Sequence, residues 1–211
     1  KLLVFGALLG CLDPVLTIAA SLAHRSPFVM PLDRKDRADA AKLEFANMSC
    51  SDHLAVLHAY DEWQRHFHDE DRFCWQRYLN KSVLRMMRDM RMQFLGILRD
   101  AGLVQDDSSN SNQASSSDQQ KGRGGRGGGN SSSRVNSKRG EECLVRAVLT
   151  AGLFPKVAAV RNGKRKAKWH TRDDGKVDPH PSSVNYSESQ FEYQWMVYNE
   201  KVKSTGGIYV R

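Results

Sequence analysis

The spacing of apolar residues changes character along the chain, from helical to absent, briefly helical again, then alternating. From Leu2 to Leu22 the chain is almost continuously apolar (LLVFGALLGCLDPVLTIAASL), with Leu2, Phe5, Leu9 and Leu12 at helical spacing. Asp13-Pro14 interrupts the run, and Val15 to Leu22 resumes it with Pro14 in the first-turn position that proline tolerates. The pattern predicts two short buried helices joined by a tight corner, whose apolar faces later segments must cover. Ser26-Pro27 and Pro31 bracket an extended connector, Phe28-Val29-Met30. Asp33 predicts the cap of a charged surface helix over 34–47, apolar mainly at Ala38, Ala41, Leu43 and Phe45. Ser51-Asp52 predicts another helix start, followed by the stripe Leu54, Leu57, Tyr60 and Trp63. A connector holding His66 and His68 leads to a short helix over 73–79. Asn80-Lys81-Ser82 then opens the longest helix, over 83–101. Its residues Val83, Met87, Met90, Phe94 and Ile97 step by four and three along one core face, and Gly102 stops it.

Residues 105–140 have no period. Their apolar side chains are only Ala114 and Val135, while Ser, Asn, Gly and Gln dominate. Such a stretch buries too little to offset its ordering entropy, so disorder is expected across it. Helical spacing returns over 141–153 through Leu144, Val145, Val148 and Leu149, and Gly152 and Pro155 end it. From Lys156 the period is two. Strands are predicted over 157–160, 167–171, 175–177, 195–202 and 208–210, with hairpin turns at Asn162-Gly163 and Asp174-Gly175. The chain stops within the last of these, which predicts an incomplete small barrel. The fold class is therefore α+β: a helical bundle, then a truncated antiparallel β-barrel, with a disordered insert.

Composition adds a sign of charge. The 211 residues carry a formal net charge of +8, which favours a polyanionic partner. The excess is uneven: residues 1–104 hold 14 basic and 13 acidic side chains, whereas 141–211 hold 12 and 8. The unbroken apolar opening invites comparison with a signal peptide or membrane span. Asp13-Pro14 in its middle and the lack of a strongly basic lead argue against both, so no membrane is expected. The four cysteines show no paired spacing, and Cys11 and Cys143 lie in apolar patterns, as buried reduced thiols would. Cys50, His53, His66, His68 and Cys74 lack the spacing of a zinc site.

No catalytic constellation is present. The sequence lacks GxxxxGK[ST], GxSxG and HExxH. Basic clusters remain. Arg85, Arg88 and Arg91 step by three along the long helix, either as a solvated face or as a ladder lining a nucleic-acid channel. The stretch 156–176 holds Lys156, Arg161, Lys164, Arg165, Lys166, Lys168, Arg172 and Lys176 against only Asp173 and Asp174. With Trp169 and His170 interleaved, such a hairpin suits the groove-plus-stacking surface of a single-strand binder. Arg123 and Arg126 form two Arg-Gly-Gly units within the insert, which fit either RNA contact or a solubilising loop.

The stretches LLVFGALLGCLDPVLTIAASL, RSPFVMP, SDHLAVLHAYDEW, FCWQRYLN, MRMQFL, AVLTAGLFPKVA and VDPHPSSVN occur in one order across nearly all of the chain except 105–140. In that combination the sequence resembles the C-terminal accessory region of DEAH-box (DExH) RNA helicases, nearest to the quadruplex-resolving subgroup and its plant relatives. The resemblance implies the end of a winged helix and a helical ratchet domain over 1–103, and a Ser/Gly/RGG insert over 104–140. A helix completing the bundle would follow over 141–155, with a partial OB-fold over 156–211.

It further implies that RecA-like domains outside these residues bind ATP and Mg and move 3′ to 5′, while this region grips single-stranded or structured RNA, or DNA. This chain would hold no cofactor of its own, and its location would be cytoplasmic or nuclear. Contacts to nucleic acid are implied at Ser51, Asp52 and His53, at Arg91 and Gln93, and at Lys156, His180, Ser182 and Ser183; Arg88 joins them from the ladder. The helix start at Ser51-Asp52 adds free backbone N–H groups that suit a phosphate. A stand-alone RNA-binding adaptor without a motor is the alternative.

Overall fold

A computed structural model describes residues 1–104 and 134–211. Its helices are α1 (Leu2–Leu9), α2 (Leu12–Leu22), α3 (Lys35–Ala46), α4 (Asp52–Arg65), α5 (Glu70–Gln76), α6 (Lys81–Asp100) and α7 (Glu142–Leu153). The strands are β1 (Val157–Arg161), β2 (Lys168–Thr171), β3 (Gly175–Pro179), β4 (Trp195–Val197), β5 (Lys201–Ser204) and β6 (Gly207–Val210).

The opening run is the predicted pair of helices. Gly10 turns the corner at φ +76°, and the Cys11 amide donates to the Gly6 carbonyl at 3.0 Å. Gly6 lets α1 lie on α2, since a methyl there would sit 3.0 Å from Val15 Cβ. Cys11, Val15 and Ile18 pack with Leu54 and Leu57 of α4 and with Val145, Val148 and Leu149 of α7. The first helices are thus the centre of the bundle. A second core joins Ala55, Ala59, Tyr60 and Trp63 to Phe73, Leu79, Val83 and Met87.

Several boundaries differ from expectation, each for a local reason. Asp33 does not cap α3; a 3-10 turn over Leu32–Arg34 precedes it and no side chain caps it. Nor does α3 merely ride the surface, because Ala38, Ala41, Lys42, Phe45 and Ala46 are buried, against α4. Helix α5 starts three residues earlier than expected, where Glu70 and Asp71 place negative charge in its first turn. On α6, Ile97 is exposed and Leu98 is buried. The step after Phe94 is four rather than three, which keeps pace with 3.6 residues per turn. Gly102 then adopts φ +69°, and its amide and that of Leu103 close the helix onto Arg99 and Leu98.

The disorder expected over 105–140 does not hold for residues 134–140. Residues 134–140 pack on the corner between α1 and α2: Asn136 Oδ1 accepts the Asp13 amide at 2.7 Å, and the Lys138 amide donates to Gly10 O at 2.8 Å. Asn136 thereby satisfies a donor that the start of α2 leaves open. The rest of that expectation, with Arg123 and Arg126, lies outside the described residues.

The sheet has the order β4-β1-β2-β3-β6-β5 and is open, antiparallel except where β3 meets β6. The expected strand over 195–202 is two strands on opposite edges, parted at Tyr198–Glu200, where the amides of Asn199 and Glu200 both reach Arg211 O. Asn162-Gly163 is not a two-residue turn. The Asn162 side chain instead exchanges hydrogen bonds with the backbone of Phe191, at 2.9 and 3.0 Å. Ala158, Val160, Trp169, Val177, Phe191, Tyr198 and Val210 form the core of this part.

All four cysteines are free thiols, and Cys143 is exposed rather than buried. Burial, reinforced by the carboxylates of Glu70 and Asp71, pushes the Cys74 thiol up to about 11. Among the described residues no helix is long and apolar enough to cross a membrane. Among them, too, no three His, Cys, Asp or Glu side chains gather where they could hold a metal.

Candidate nucleic-acid interface

The start of α4 faces the turn that follows β3. Ser51 caps the helix by accepting the Leu54 amide at 3.3 Å, which fixes where Asp52 points. The Asp52 carboxylate accepts from Ser183 Oγ at 2.5 Å, from the Val184 amide at 3.2 Å and from Lys42 Nζ at 2.5 Å. Lys42 also donates to Ser182 O at 2.6 Å. His180 Nδ1 accepts the Ser182 amide at 3.2 Å and lies 2.7 Å from Ser182 Oγ. Asn185 Nδ2 reaches Cys50 O at 2.9 Å. Ser51, Asp52, His180, Ser182 and Ser183, far apart in sequence, therefore meet at one seam between the helices and the sheet.

Charge at the seam is internally balanced. Burial raises the Asp52 pKa, but Lys42 and the hydrogen bonds from Ser183 and Val184 outweigh it and hold the carboxyl below its usual range. Burial holds the His53 imidazole down; Asp52 opposes this and Lys42 adds to it, so the ring is neutral at pH 7. Beside the seam is a cavity of about 270 Å³ lined by Ser21, His24, Lys42, His53, Ser182 and Arg211, among others. The helix start expected to face a phosphate is thus engaged by the chain's own 182–184 turn through Asp52.

Lys42 and Asn185 were not singled out from sequence. Lys42 left a readable trace: it sits within the apolar stripe Ala38, Ala41 and Phe45, where a solvated lysine does not belong.

The long-helix ladder is mostly paired. Arg85 bonds Glu70, and Arg88 lies 3.5 Å from Asp89. Arg91 donates to Asp13 O at 2.8 Å, to Asp13 Oδ1 at 2.5 Å and to Thr17, with its guanidinium 5.0 Å from the Tyr60 ring centre. Gln93 is exposed on the same helix.

The hairpin behaves differently. Arg161, Lys164, Arg165, Lys168, Arg172 and Lys176 are exposed and make no side-chain hydrogen bond or ion pair among the described residues. Lys166 is tied to Asp178 at 3.5 Å and lies over the Tyr186 ring, and Lys156 donates to Asn199 O at 2.5 Å. Trp169, expected to interleave with the cations, is only 4% exposed and packs edge-on against Phe191 at 5.4 Å. Its strand position faces the core, so His170 alone of the pair points outward.

Comparison with known proteins agrees with this architecture. Residues 1–69 match the family described as the helicase associated domain (HA2), ratchet-like, and residues 145–211 match the oligonucleotide/oligosaccharide-binding (OB)-fold. All of the chain aligns with the Arabidopsis thaliana DExH-box ATP-dependent RNA helicase DExH1, at 41% identity over 213 residues and 19% of that protein. It aligns equally fully with the human ATP-dependent DNA/RNA helicase DHX36, at 39% identity over 218 residues and 19% of its length. The mouse ATP-dependent RNA helicase DHX29 shares 34% identity over 222 residues, 100% of this chain and 15% of the relative. The chain spans about a fifth or less of the curated relatives it matches. With both domain families in this order and helicase kinship along its whole length, the chain belongs to the DExH-box helicases as their helicase-associated ratchet and OB-fold region.

Proposed function

We propose that this region grips single-stranded RNA, or DNA, while RecA-like domains of a longer protein hydrolyse ATP and draw the strand 3′ to 5′. The supporting observation is the set of six cations on and around the β1–β2–β3 hairpins that have no partner among the described residues. Cations with no internal partner are available to phosphates, and neutralising phosphates releases condensed counterions. This chain has no phosphate loop, so ATP and Mg would be held by residues outside it. Work in the cytoplasm or nucleus is part of the same reading. A motor-free adaptor is not favoured, because the relatives that align with the full chain are helicases.

Replacing Arg161, Lys164, Arg165 and Lys168 together by glutamine tests the reading. Lys166 is left alone because it serves Asp178. Binding should weaken on every sequence, and the log–log salt slope should flatten by about 0.7 for each phosphate that is no longer neutralised. An unchanged slope would return these cations to a solvated surface.

A further inference from the structure

The strand register brings an exposed tryptophan to the same face as the cations. Val157 and Ala159 of β1 share a face with Val197 and Trp195 of β4, because these residues pair directly. Ala159 also pairs with His170, and His170 with Lys176. Trp195, Ala159, His170 and Lys176 therefore form one row across four strands. Arg161 pairs with Lys168 in the next row. The carboxylate on this face, Asp178, is held by Lys166.

Trp195 is 69% exposed, unlike buried Trp169. It is also fixed. Gln194 O accepts the Val160 amide at 2.8 Å, Asn162 bonds both backbone groups of Phe191, and Gln190 Nε2 reaches Gly163 O at 3.0 Å. An indole carried on so anchored a segment exposes a large apolar area to water. Between Trp195 and His170 stands only the methyl of Ala159. Two strand spacings separate those rings, roughly 10 Å, over a shallow floor.

We infer that this outer sheet face is a stacking platform for unpaired nucleobases, with Trp195 as its anchor. Charge narrows the occupant to an anionic one: Arg161, Lys168 and Lys176 accompany the aromatic row and suit a phosphate backbone, whose bases can stack on the exposed indole, rather than a basic or apolar surface. The inference rests on the nucleic-acid reading above and adds base-face recognition to backbone charge. A duplex hides its base faces by stacking, so the platform would favour unpaired strands.

The test uses the whole chain with a labelled oligouridylate and a duplex of equal length. Trp195→Ala should weaken oligouridylate binding about tenfold or more, as removal of one base stack does, with the salt slope and duplex binding unchanged. Trp195→Phe should recover most of the affinity. Because the side chain is exposed, both variants should keep the wild-type melting temperature. In the wild type, light-induced cross-linking of an iodouridine-substituted strand should label the peptide carrying Trp195. Unaltered oligouridylate binding by Trp195→Ala, an equal weakening on duplex, or cross-links only elsewhere would overturn the platform while leaving the basic grip standing. A wild-type chain that binds neither polymer at low salt would remove the grip itself, and the platform with it.

Discussion

The guanidinium of Arg91 bonds a backbone carbonyl, a carboxylate and a hydroxyl of α2 while covering the Tyr60 ring. It joins α6 to α2 through three acceptors on Asp13 and Thr17. A lysine has the charge but not the planar fork, so it can meet at most part of this set. Arg91→Lys should cost about 1–2 kcal/mol of unfolding free energy and Arg91→Ala about 2–3 kcal/mol, read from urea denaturation. A variant with wild-type stability and impaired RNA binding would instead mean that Arg91 works at the ligand. The three-residue spacing of Arg85, Arg88 and Arg91 was visible in the sequence. The partners of Arg85 and Arg91 were not, because Glu70 and Asp13 come from other helices and no local period reports them. The unpaired hairpin cations were legible for the opposite reason: few acids lie near them in sequence, and few reach them in space.

Among the elements, the two hairpin glycines look alike in sequence and serve different needs. Gly175 holds φ +69° with open space where a Cβ would point, so it is there for backbone conformation. Gly163 has an ordinary backbone, but a methyl on it would overlap the Lys166 carbonyl oxygen. Gly175→Ala should cost about 1–2 kcal/mol, and Gly175→Asn should recover part of that because asparagine tolerates the left-handed region. Gly163→Ala should cost about 1–3 kcal/mol as overpacking, with no recovery by asparagine. Melting temperatures of the four variants separate the two causes, and rescue at Gly163 would refute the steric account. Most helices were legible because caps and apolar stripes are local: Ser51, Asn80 and the Leu54–Trp63 stripe fall where the pattern puts them. Strand pairing was less so. Period two locates residues 195–202 as extended, but it cannot say that β4 and β5 part to opposite edges. Trp169 and Trp195 differ in exposure because their strands present opposite parities to the core, which only register reveals.

At the scale of the molecule, helices and sheet are joined where Asp52 meets Lys42, Ser183 and Val184. Both charges are largely withdrawn from water, with Lys42 and Asp52 side chains 10% and 22% exposed. Removing one partner leaves the other's desolvation uncompensated, so Asp52→Asn should destabilise the chain by about 3 kcal/mol at pH 7. That contribution depends on pH in a defined direction. Folding lowers the Asp52 pKa, so its stabilisation is complete well above the ordinary value of 3.8 and is lost as pH falls below it. His53 and His180 face the same seam, and both have lowered pKa values, chiefly through burial. Their stabilising neutral forms weaken only below their ordinary value of 6.5, so they add acid sensitivity on the same side. Urea midpoints for wild type and Asp52→Asn, measured from pH 7 to pH 3, should therefore draw together below pH 3.8, after the gap widens below 6.5 because Asp52 opposes the lowering of both histidines and its loss depresses them further. A gap that stays constant to pH 3 would mean that Asp52 holds the two parts together by shape and neutral hydrogen bonding, and that its charge is incidental to the joint.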